Sequence, residues 1–143
     1  MKDRSTVQSA ALLVGILLFA LGILGFVPGV TTHYGDLSFA GHDSGAKLLG
    51  IFQTSILHNV IYLVFGLAGI AMARSWEGAR TFLIAGGTIY LALFVYGLLA
   101  HGESGWNFVP VNSADNVLHV ALGVVMVALG WILGRNPIPV EAS

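Results

Sequence analysis

Two histidines, His58 and His119, stand inside long apolar runs of a sequence that has few other groups able to do chemistry. Imidazole rings that face one another across a helical bundle can ligate haem iron or a metal ion. The same rings can instead form hydrogen bonds between packed helices. We predict the second use, with no bound cofactor, and keep a haem or divalent-metal site at these two residues as an alternative.

A second group of candidate metal ligands lies before the second apolar run. His33, Asp36, His42 and Asp43 supply imidazole and carboxylate groups, which are acceptable ligands for zinc or a similar ion. Their spacing matches no metal-binding motif, and residues of a solvated turn are the preferred explanation. A metal site in this segment is therefore kept only as an alternative.

No catalytic constellation can be placed on the sequence. Cysteine is absent, which excludes disulfides, thiol catalysis and Cys-based metal sites. No nucleophile–base pair, phosphate loop or pair of carboxylates is recognisable. The net charge is −1 and no basic run is present, so nothing indicates nucleic-acid binding. We predict that the protein is not an enzyme.

The elements that must position these residues are membrane-spanning helices. The chain has 143 residues, of which 56% are hydrophobic and 9% charged, whereas soluble domains carry about 25% charged residues. No Asp, Glu, Lys or Arg occurs within four intervals, and a crossing needs about 20 helical residues. The intervals are 5–35, 48–73, 81–102 and 116–134.

The predicted fold is an all-α, integral membrane four-helix bundle that forms a single domain. A proline disfavours helical geometry in the residue before it, so Pro28 should end the first helix. Asp43 or Ser44 is a candidate N-cap for the second helix, and Asn112 or Ser113 for the fourth. The predicted helices cover about 7–27, 46–73, 80–100 and 114–134, with an outer loop at 28–45 that folds over the bundle or forms a small strand.

The distribution of basic residues predicts the orientation. Five of the six lysines and arginines fall on one side of the predicted spans, and Lys47 falls on the other. The positive-inside rule then places both termini and the short turn between the second and third helices in the cytoplasm. We expect a multi-pass protein of the bacterial inner membrane.

Two halves of the chain resemble each other. GFVPGV at 25–30 and NFVPVN at 107–112 follow the first and third helices, and the pattern N-V-[IL]-x-x-x-x-G recurs at 59–66 and 116–123. The shared order predicts two helical hairpins related by a parallel internal repeat.

The repeated pattern places polar residues and glycines on one face of each helix. Glycines allow helix backbones to approach closely in lipid, and polar side chains hydrogen-bond across the contact. We therefore predict that both faces point into the bundle and that their polar residues form an interhelical network. One face carries His58, Tyr62, Gly66 and Gly69, the other Asp115, His119, Gly123 and Met126, and the predicted network comprises His58, Asn59, Tyr62, Asp115, Asn116 and His119.

Two alignments of the second helix with the fourth are compatible with the sequence. Alignment through the repeated asparagines predicts His58 near Asp115 and Tyr62 near His119, as a hydrogen-bonded network. Alignment by depth, counted from the arginines that follow each helix, predicts His58 opposite His119, as a possible ligand pair.

These observations favour a non-catalytic membrane component with a structural or partner-interacting role. Its expected partners are the lipid bilayer and either further copies of itself or another membrane protein. The alternatives are a haem- or metal-binding membrane protein that uses the intramembrane histidines, and a small oligomeric transporter or channel.

The runs GHDSGAKLLGIFQTSILHN at 41–59 and NFVPVNSADNVLH at 107–119 resemble the domain-of-unknown-function 4383 family of small four-span bacterial membrane proteins. The resemblance implies a four-helix inner-membrane protein and supplies no activity. It also implies that histidine is frequent in the family where this chain has Tyr62, which favours the hydrogen-bonded network over a paired-histidine site here. The family-like positions are Gly41, His42, Asp43, Ser44, His58, Asn59, Pro110, Asn112, Asp115, Asn116 and His119.

Overall fold

Four α-helices dominate the computed structural model, which describes residues 3–40, 44–100 and 112–135. Three two-residue strands and a 3-10 turn lie between the first two helices. The three strands form a small antiparallel sheet in the order β1-β2-β3. The predicted all-α class is confirmed by these helices. The helices are α1 (Thr6–Leu24), α2 (Ile56–Met72), α3 (Trp76–Leu99) and α4 (Ser113–Leu133). The short elements are β1 (Thr31–Thr32), the 3-10 turn (Tyr34–Asp36), β2 (Lys47–Leu48) and β3 (Phe52–Gln53).

Among the described helices, α1, α3 and α4 are long and apolar enough to cross a membrane. The helix α2 is apolar but has 17 residues, which is shorter. Three of the four predicted crossings therefore have a helix of the expected length and composition. The fourth is shorter than predicted because α2 starts late in the chain.

The predicted start of the second helix, at residue 46 with an Asp43 or Ser44 cap, is wrong. Residues 47–53 form β2, a tight turn and β3 instead. The turn residues Leu49 and Gly50 have φ angles of 55° and 72°, and two consecutive left-handed residues make a hairpin turn that no helix can contain. Apolar composition does not distinguish the two structures, because residues 48–52 are uncharged and mostly apolar, like the helix that follows.

Ser55 is the residue that begins α2. Its Oγ accepts the His58 backbone N–H at 3.1 Å, which satisfies one of the free donors of the first helical turn. The backbone N–H groups of Ile56 and Leu57 donate to the carbonyl oxygens of Ser38 and Phe39 at 3.0 and 2.9 Å. The connection between α1 and α2 thus folds back over the start of α2 and satisfies its buried donors.

Replacement of Ser55 by alanine should destabilise the protein by about 1–2 kcal/mol, because the buried His58 N–H loses its acceptor where water cannot replace it. Ser75 is the matched control, since its Oγ accepts the Gly78 N–H at 3.0 Å as the exposed N-cap of α3. Unfolding in one detergent, followed by helical circular dichroism, should show a smaller loss for Ser75→Ala. Equal losses would contradict the importance of burial at Ser55.

The helices pack as two pairs, α1 with α2 and α3 with α4, and each pair crosses at glycines. A Cβ on Gly66 would lie 2.7 Å from the Gly15 carbonyl oxygen, and one on Gly87 would lie 2.8 Å from the Gly123 carbonyl oxygen. Such close approach of backbones needs small residues. The two pairs contact each other less extensively, and we call the boundary between them the interpair seam.

The start of α1 and the end of α4 lie at the same end of the bundle. Gln8 in α1 donates from Nε2 to the Ala73 carbonyl oxygen at the end of α2, at 3.1 Å. The aliphatic part of Arg80, near the start of α3, packs against Gly134 at the end of α4. Because α2 and α3 are joined by a short turn at this end, the two hairpins stand side by side in the same direction.

Candidate functional site

The predicted polar-and-glycine faces of α2 and α4 point into the bundle. Each helix buries its predicted face together with one further residue, Asn59 in α2 and Gly130 in α4. The buried residues of α2 are His58, Asn59, Tyr62, Gly66 and Gly69, and those of α4 are Asp115, His119, Gly123, Met126 and Gly130.

Four aromatic side chains meet at the interpair seam, and we call them the ring cluster: His58, Tyr62, Tyr90 and His119. His58 stacks on Tyr62, one helical turn away, with ring centroids 4.7 Å apart and planes at 17°. Across the seam, the centroids of His58 and His119 are 6.2 Å apart with planes at 50°. Tyr90 of α3 lies 5.7 Å from His119 by the same measure. The cluster thus joins α2, α3 and α4.

The ring of His58 lies against that of His119, as the register by depth predicts. His58 and Asp115 are also linked, but through the backbone of Gln53, which forms hydrogen bonds with the imidazole of one and the carboxyl group of the other. The β3 strand therefore lies between the starts of α2 and α4, and its backbone holds the His58 ring in place.

Asp115 serves chiefly as a helix cap. Its Oδ2 accepts the Asn112 backbone N–H at 2.8 Å, and Asn112 Oδ1 accepts the Asp115 backbone N–H at 2.9 Å. This reciprocal pair is a capping box, and it confirms Asn112 as the N-cap of α4. Asn112 also donates from Nδ2 to the Ile51 carbonyl oxygen at 2.8 Å, which ties α4 to the turn between β2 and β3.

Four polar atoms of the ring cluster have no hydrogen-bond partner within the described residues. They are Nδ1 of His58, the hydroxyl oxygen of Tyr62, and both Nδ1 and Nε2 of His119. The exposed fractions of these side chains are 5%, 2% and 0%. Buried polar groups are nearly always paired, and an unpaired one costs about 1–3 kcal/mol. The cluster thus presents donors and acceptors that a further molecule would satisfy.

A cavity of about 50 Å³ lies beside the ring cluster. The four rings line it together with Ile61, Phe65, Ile89 and Leu93, and almost all of its wall is apolar. Ile61 and Ile89 are 40% and 48% exposed on the outside of the bundle, so they separate the cavity from the lipid. A space of this size accommodates an ion or a few water molecules.

Besides Asp115, two members of the predicted network lie outside the ring cluster. Asn59 Oδ1 accepts the Thr54 hydroxyl at 2.5 Å, and its side chain packs against Gly25 at the end of α1. Asn116 is half-buried at the start of α4 and its Oδ1 has no partner among the described residues.

Tyr90 is the member of the cluster that sequence reasoning missed. It is 4% exposed and lies four residues after Gly86 and seven before Gly97, so the three share one face of α3. A tyrosine on a glycine-bearing face of an apolar helix was therefore the available signal. It belongs to neither repeated motif, so the repeat does not point to it.

The alternative metal site in the outer loop finds no support in the part of the chain that the structure describes. His33 and Asp36 are exposed around the 3-10 turn, while His42 and Asp43 lie outside the described residues. Within residues 3–40, 44–100 and 112–135, no group of three or more His, Cys, Asp or Glu side chains is close enough to hold a metal ion.

The model of one protein family, described as a domain of unknown function (DUF4383), matches residues 8–132. The chain belongs to the DUF4383 family. The match includes both hairpins and the ring cluster, and the apolar helices agree with the membrane character expected of the family. Neither the curated proteins nor the solved structures include a match. The function of this DUF4383 protein must therefore be argued from the site.

Proposed function

We propose that this DUF4383 protein is a non-catalytic, four-span membrane protein that binds a small polar ligand in the ring cluster. The observation that carries the proposal is the set of unpartnered, buried polar atoms on His58, Tyr62 and His119, three rings that lie beside one cavity. A bundle surrounded by hydrocarbon offers such atoms no water from its lipid side. A ligand that accepts from, donates to or coordinates these atoms offsets the free energy lost by burying them.

The proposal differs from the purely structural network that the sequence alone predicts for these residues. A network that held α2 to α4 would pair the polar atoms of the two helices with each other. In the described residues the nitrogens of His119 and Nδ1 of His58 are unpaired instead. The arrangement is better suited to binding a ligand between the helical pairs than to joining the pairs directly.

Size and lining restrict the kind of ligand. A cavity of about 50 Å³ holds an ion or a few waters, whereas a haem must place its whole macrocycle between two axial ligands. The haem alternative is therefore disfavoured. Among the described residues that line the cavity there is no Ser, Cys, Lys or carboxylate, so the side chains used most often as nucleophiles are missing from the wall and binding is the better-supported role.

We further propose that α2 completes a fourth crossing in the inner membrane, with both ends of the chain in the cytoplasm. A helix of 17 residues rises about 25 Å, near the lower limit for a span. The small sheet and the folded connection between α1 and α2 extend the structure beyond the start of α2. The end of the bundle that holds Arg74, Arg80 and Arg135 would face the cytoplasm.

Native mass spectrometry of the gently solubilised full-length protein tests the binding role. We expect a stoichiometric added mass on the wild-type chain and its loss from a His58→Leu/His119→Leu double variant. His33→Asn is the control, because it removes an exposed histidine of the loop and asparagine tolerates the left-handed backbone at this position, where φ is 51°. The same spectra report whether the protein is a monomer or a homo-oligomer. A wild-type spectrum at the bare chain mass, even after incubation with candidate ions and lipids, would contradict the proposal and return a structural or partner role to first place.

A further inference from the structure

Arg80 lies against the end of α4 without a partner for its charge. It belongs to the first turns of α3, and a Cβ on Gly134 would lie 2.6 Å from its Cδ, so its aliphatic part covers the last turn of α4. The side chain is partly exposed, and it forms no hydrogen bond or ion pair with any described residue. A fixed positive charge thus stands at the edge of the pair α3/α4, with its N–H donors unused.

Arg135 places a second positive charge at the same end of α4. It directly follows Gly134, and its Cζ lies 5.6 Å from the centroid of the Trp131 ring, which is a cation–π distance. Both residues are exposed. Stacking uses the flat face of the guanidinium group and leaves its N–H edge free for hydrogen bonds. The contact with Trp131 therefore restrains Arg135 without occupying its donors.

Carboxylates do not neutralise these arginines within the described residues. The acidic side chains at this end of the bundle are Asp3 and Glu77, and both are exposed. Neither forms an ion pair with an arginine among residues 3–40, 44–100 and 112–135. The described part of this end carries four arginines against these two carboxylates, and the arginines are Arg4, Arg74, Arg80 and Arg135. The surplus positive charge is complementary to an anion.

An exposed apolar stripe on α4 leads to these charges. Val117, Val124 and Trp131 are spaced seven residues apart, so they share one side of the helix, and they are 67%, 55% and 54% exposed. The helix is long and apolar enough to cross a membrane, and tryptophan is typical of the membrane–water interface. The two arginines therefore lie at the depth of the phospholipid headgroups, with a surface for acyl chains beside them.

We infer that Arg80 and Arg135 bind the phosphate group of an anionic phospholipid where α3 begins and α4 ends. Guanidinium groups match phosphate oxygens with paired, charge-assisted hydrogen bonds, and basic surfaces between helices at the membrane edge attract anionic headgroups. A soluble phosphate would satisfy the arginines but leave the apolar stripe of α4 unused, which favours the lipid. The site is separate from the ring cluster and does not depend on the binding proposed there.

Lipid titration of the full-length protein tests the inference. The protein is delipidated in a non-ionic detergent, and native mass spectrometry follows the binding of phosphatidylglycerol and of phosphatidylcholine with the same acyl chains. We expect the first bound lipid to be phosphatidylglycerol, with an affinity at least about tenfold higher than that of phosphatidylcholine, because two arginines contribute about fivefold each. Equal affinities for the two lipids would overturn the site.

Arginine variants distinguish a site from general attraction. Arg135→Gln changes an exposed side chain, so the fold should be kept while the affinity for phosphatidylglycerol falls about fivefold, and the Arg80→Gln/Arg135→Gln variant should lose about 25-fold. Arg4→Gln is the matched control, since it removes the same charge from an exposed position at the same end but on the other helical pair. An equal loss in Arg4→Gln would indicate net charge alone and overturn the site.

Two further measurements separate the lipid from other occupants. Inorganic phosphate at millimolar concentration should not displace phosphatidylglycerol, because it gains nothing from the apolar stripe. Displacement at that concentration would assign the arginines to a soluble anion and overturn the lipid. The His58→Leu/His119→Leu variant should keep the preference for phosphatidylglycerol while it loses the adduct expected at the ring cluster. Loss of the preference in that variant would place the lipid at the ring cluster and overturn the inference.

Discussion

Replacement of His119 by leucine is expected to stabilise the ligand-free protein while abolishing the proposed ligand binding. His119 is completely buried and neither ring nitrogen has a partner among the described residues. An unpaired buried polar group costs about 1–3 kcal/mol, and leucine fills a similar space without that cost. We therefore expect the free energy of unfolding to rise by about 1–3 kcal/mol. A functional site that lowers stability is the usual trade-off in such cases.

Chemical unfolding in mixed micelles, followed by helical circular dichroism, measures this change, and native mass spectrometry measures the loss of binding. His33→Asn is the control, because His33 is exposed and asparagine tolerates its left-handed backbone, so this change should alter neither quantity appreciably. The hypothesis of a structural polar network predicts the opposite sign. A His119→Leu protein that is clearly less stable than the ligand-free wild type would favour that network over a binding site.

Replacement of Gly66 by alanine is expected to cause the largest loss of stability. Its Cβ would lie 2.7 Å from the Gly15 carbonyl oxygen and closer still to the backbone of Phe19. These are backbone atoms of the neighbouring helix, so no side-chain rotation can relieve the overlap. The pair α1/α2 must move apart along its length, and we expect a loss of at least about 3 kcal/mol, at the upper end of the cost of overpacking.

Gly35 provides the matched glycine-to-alanine control. A Cβ there meets nothing within 4 Å, and its φ angle is not in the left-handed region, so Gly35→Ala should be close to neutral. Gly123→Ala should cost less than Gly66→Ala, because the nearest contacts of its Cβ are Leu91 side-chain atoms, which can rotate. Retention of wild-type stability by Gly66→Ala would contradict the close crossing of α1 and α2.

The sequence was sufficient for the helices and for the faces they bury, because both follow from periodic patterns. Uncharged intervals located all four helices, and the spacing of His58, Tyr62 and Gly66 identified the buried face of α2. The start of α2 could not be found this way. Residues 47–53 are apolar enough for a helix, and their hairpin depends on the left-handed conformations of Leu49 and Gly50, which hydropathy does not record.

The candidate site was predicted only in part. His58 and His119 were identified as an alternative ligand pair, and Tyr62 as their neighbour, because all three interrupt apolar helices. The hydrogen bond that orients His58 comes from the backbone of Gln53, and backbone groups leave no mark in a sequence. Tyr90 enters from α3, where only the relative rotation of the helices decides which side chain reaches the seam. Such contacts arise from tertiary packing, which a single chain does not specify locally.

The division of the donors between the two helical pairs has a mechanical consequence. His58 and Tyr62 belong to the pair α1/α2, and His119 belongs to the pair α3/α4, whose mutual contact is the less extensive one. An occupant that bridges them strengthens the docking of the pairs by the same free energy with which docking strengthens its retention. If the proposed site is occupied, separation of the two pairs would therefore lower its affinity, and the occupant would in turn oppose that separation.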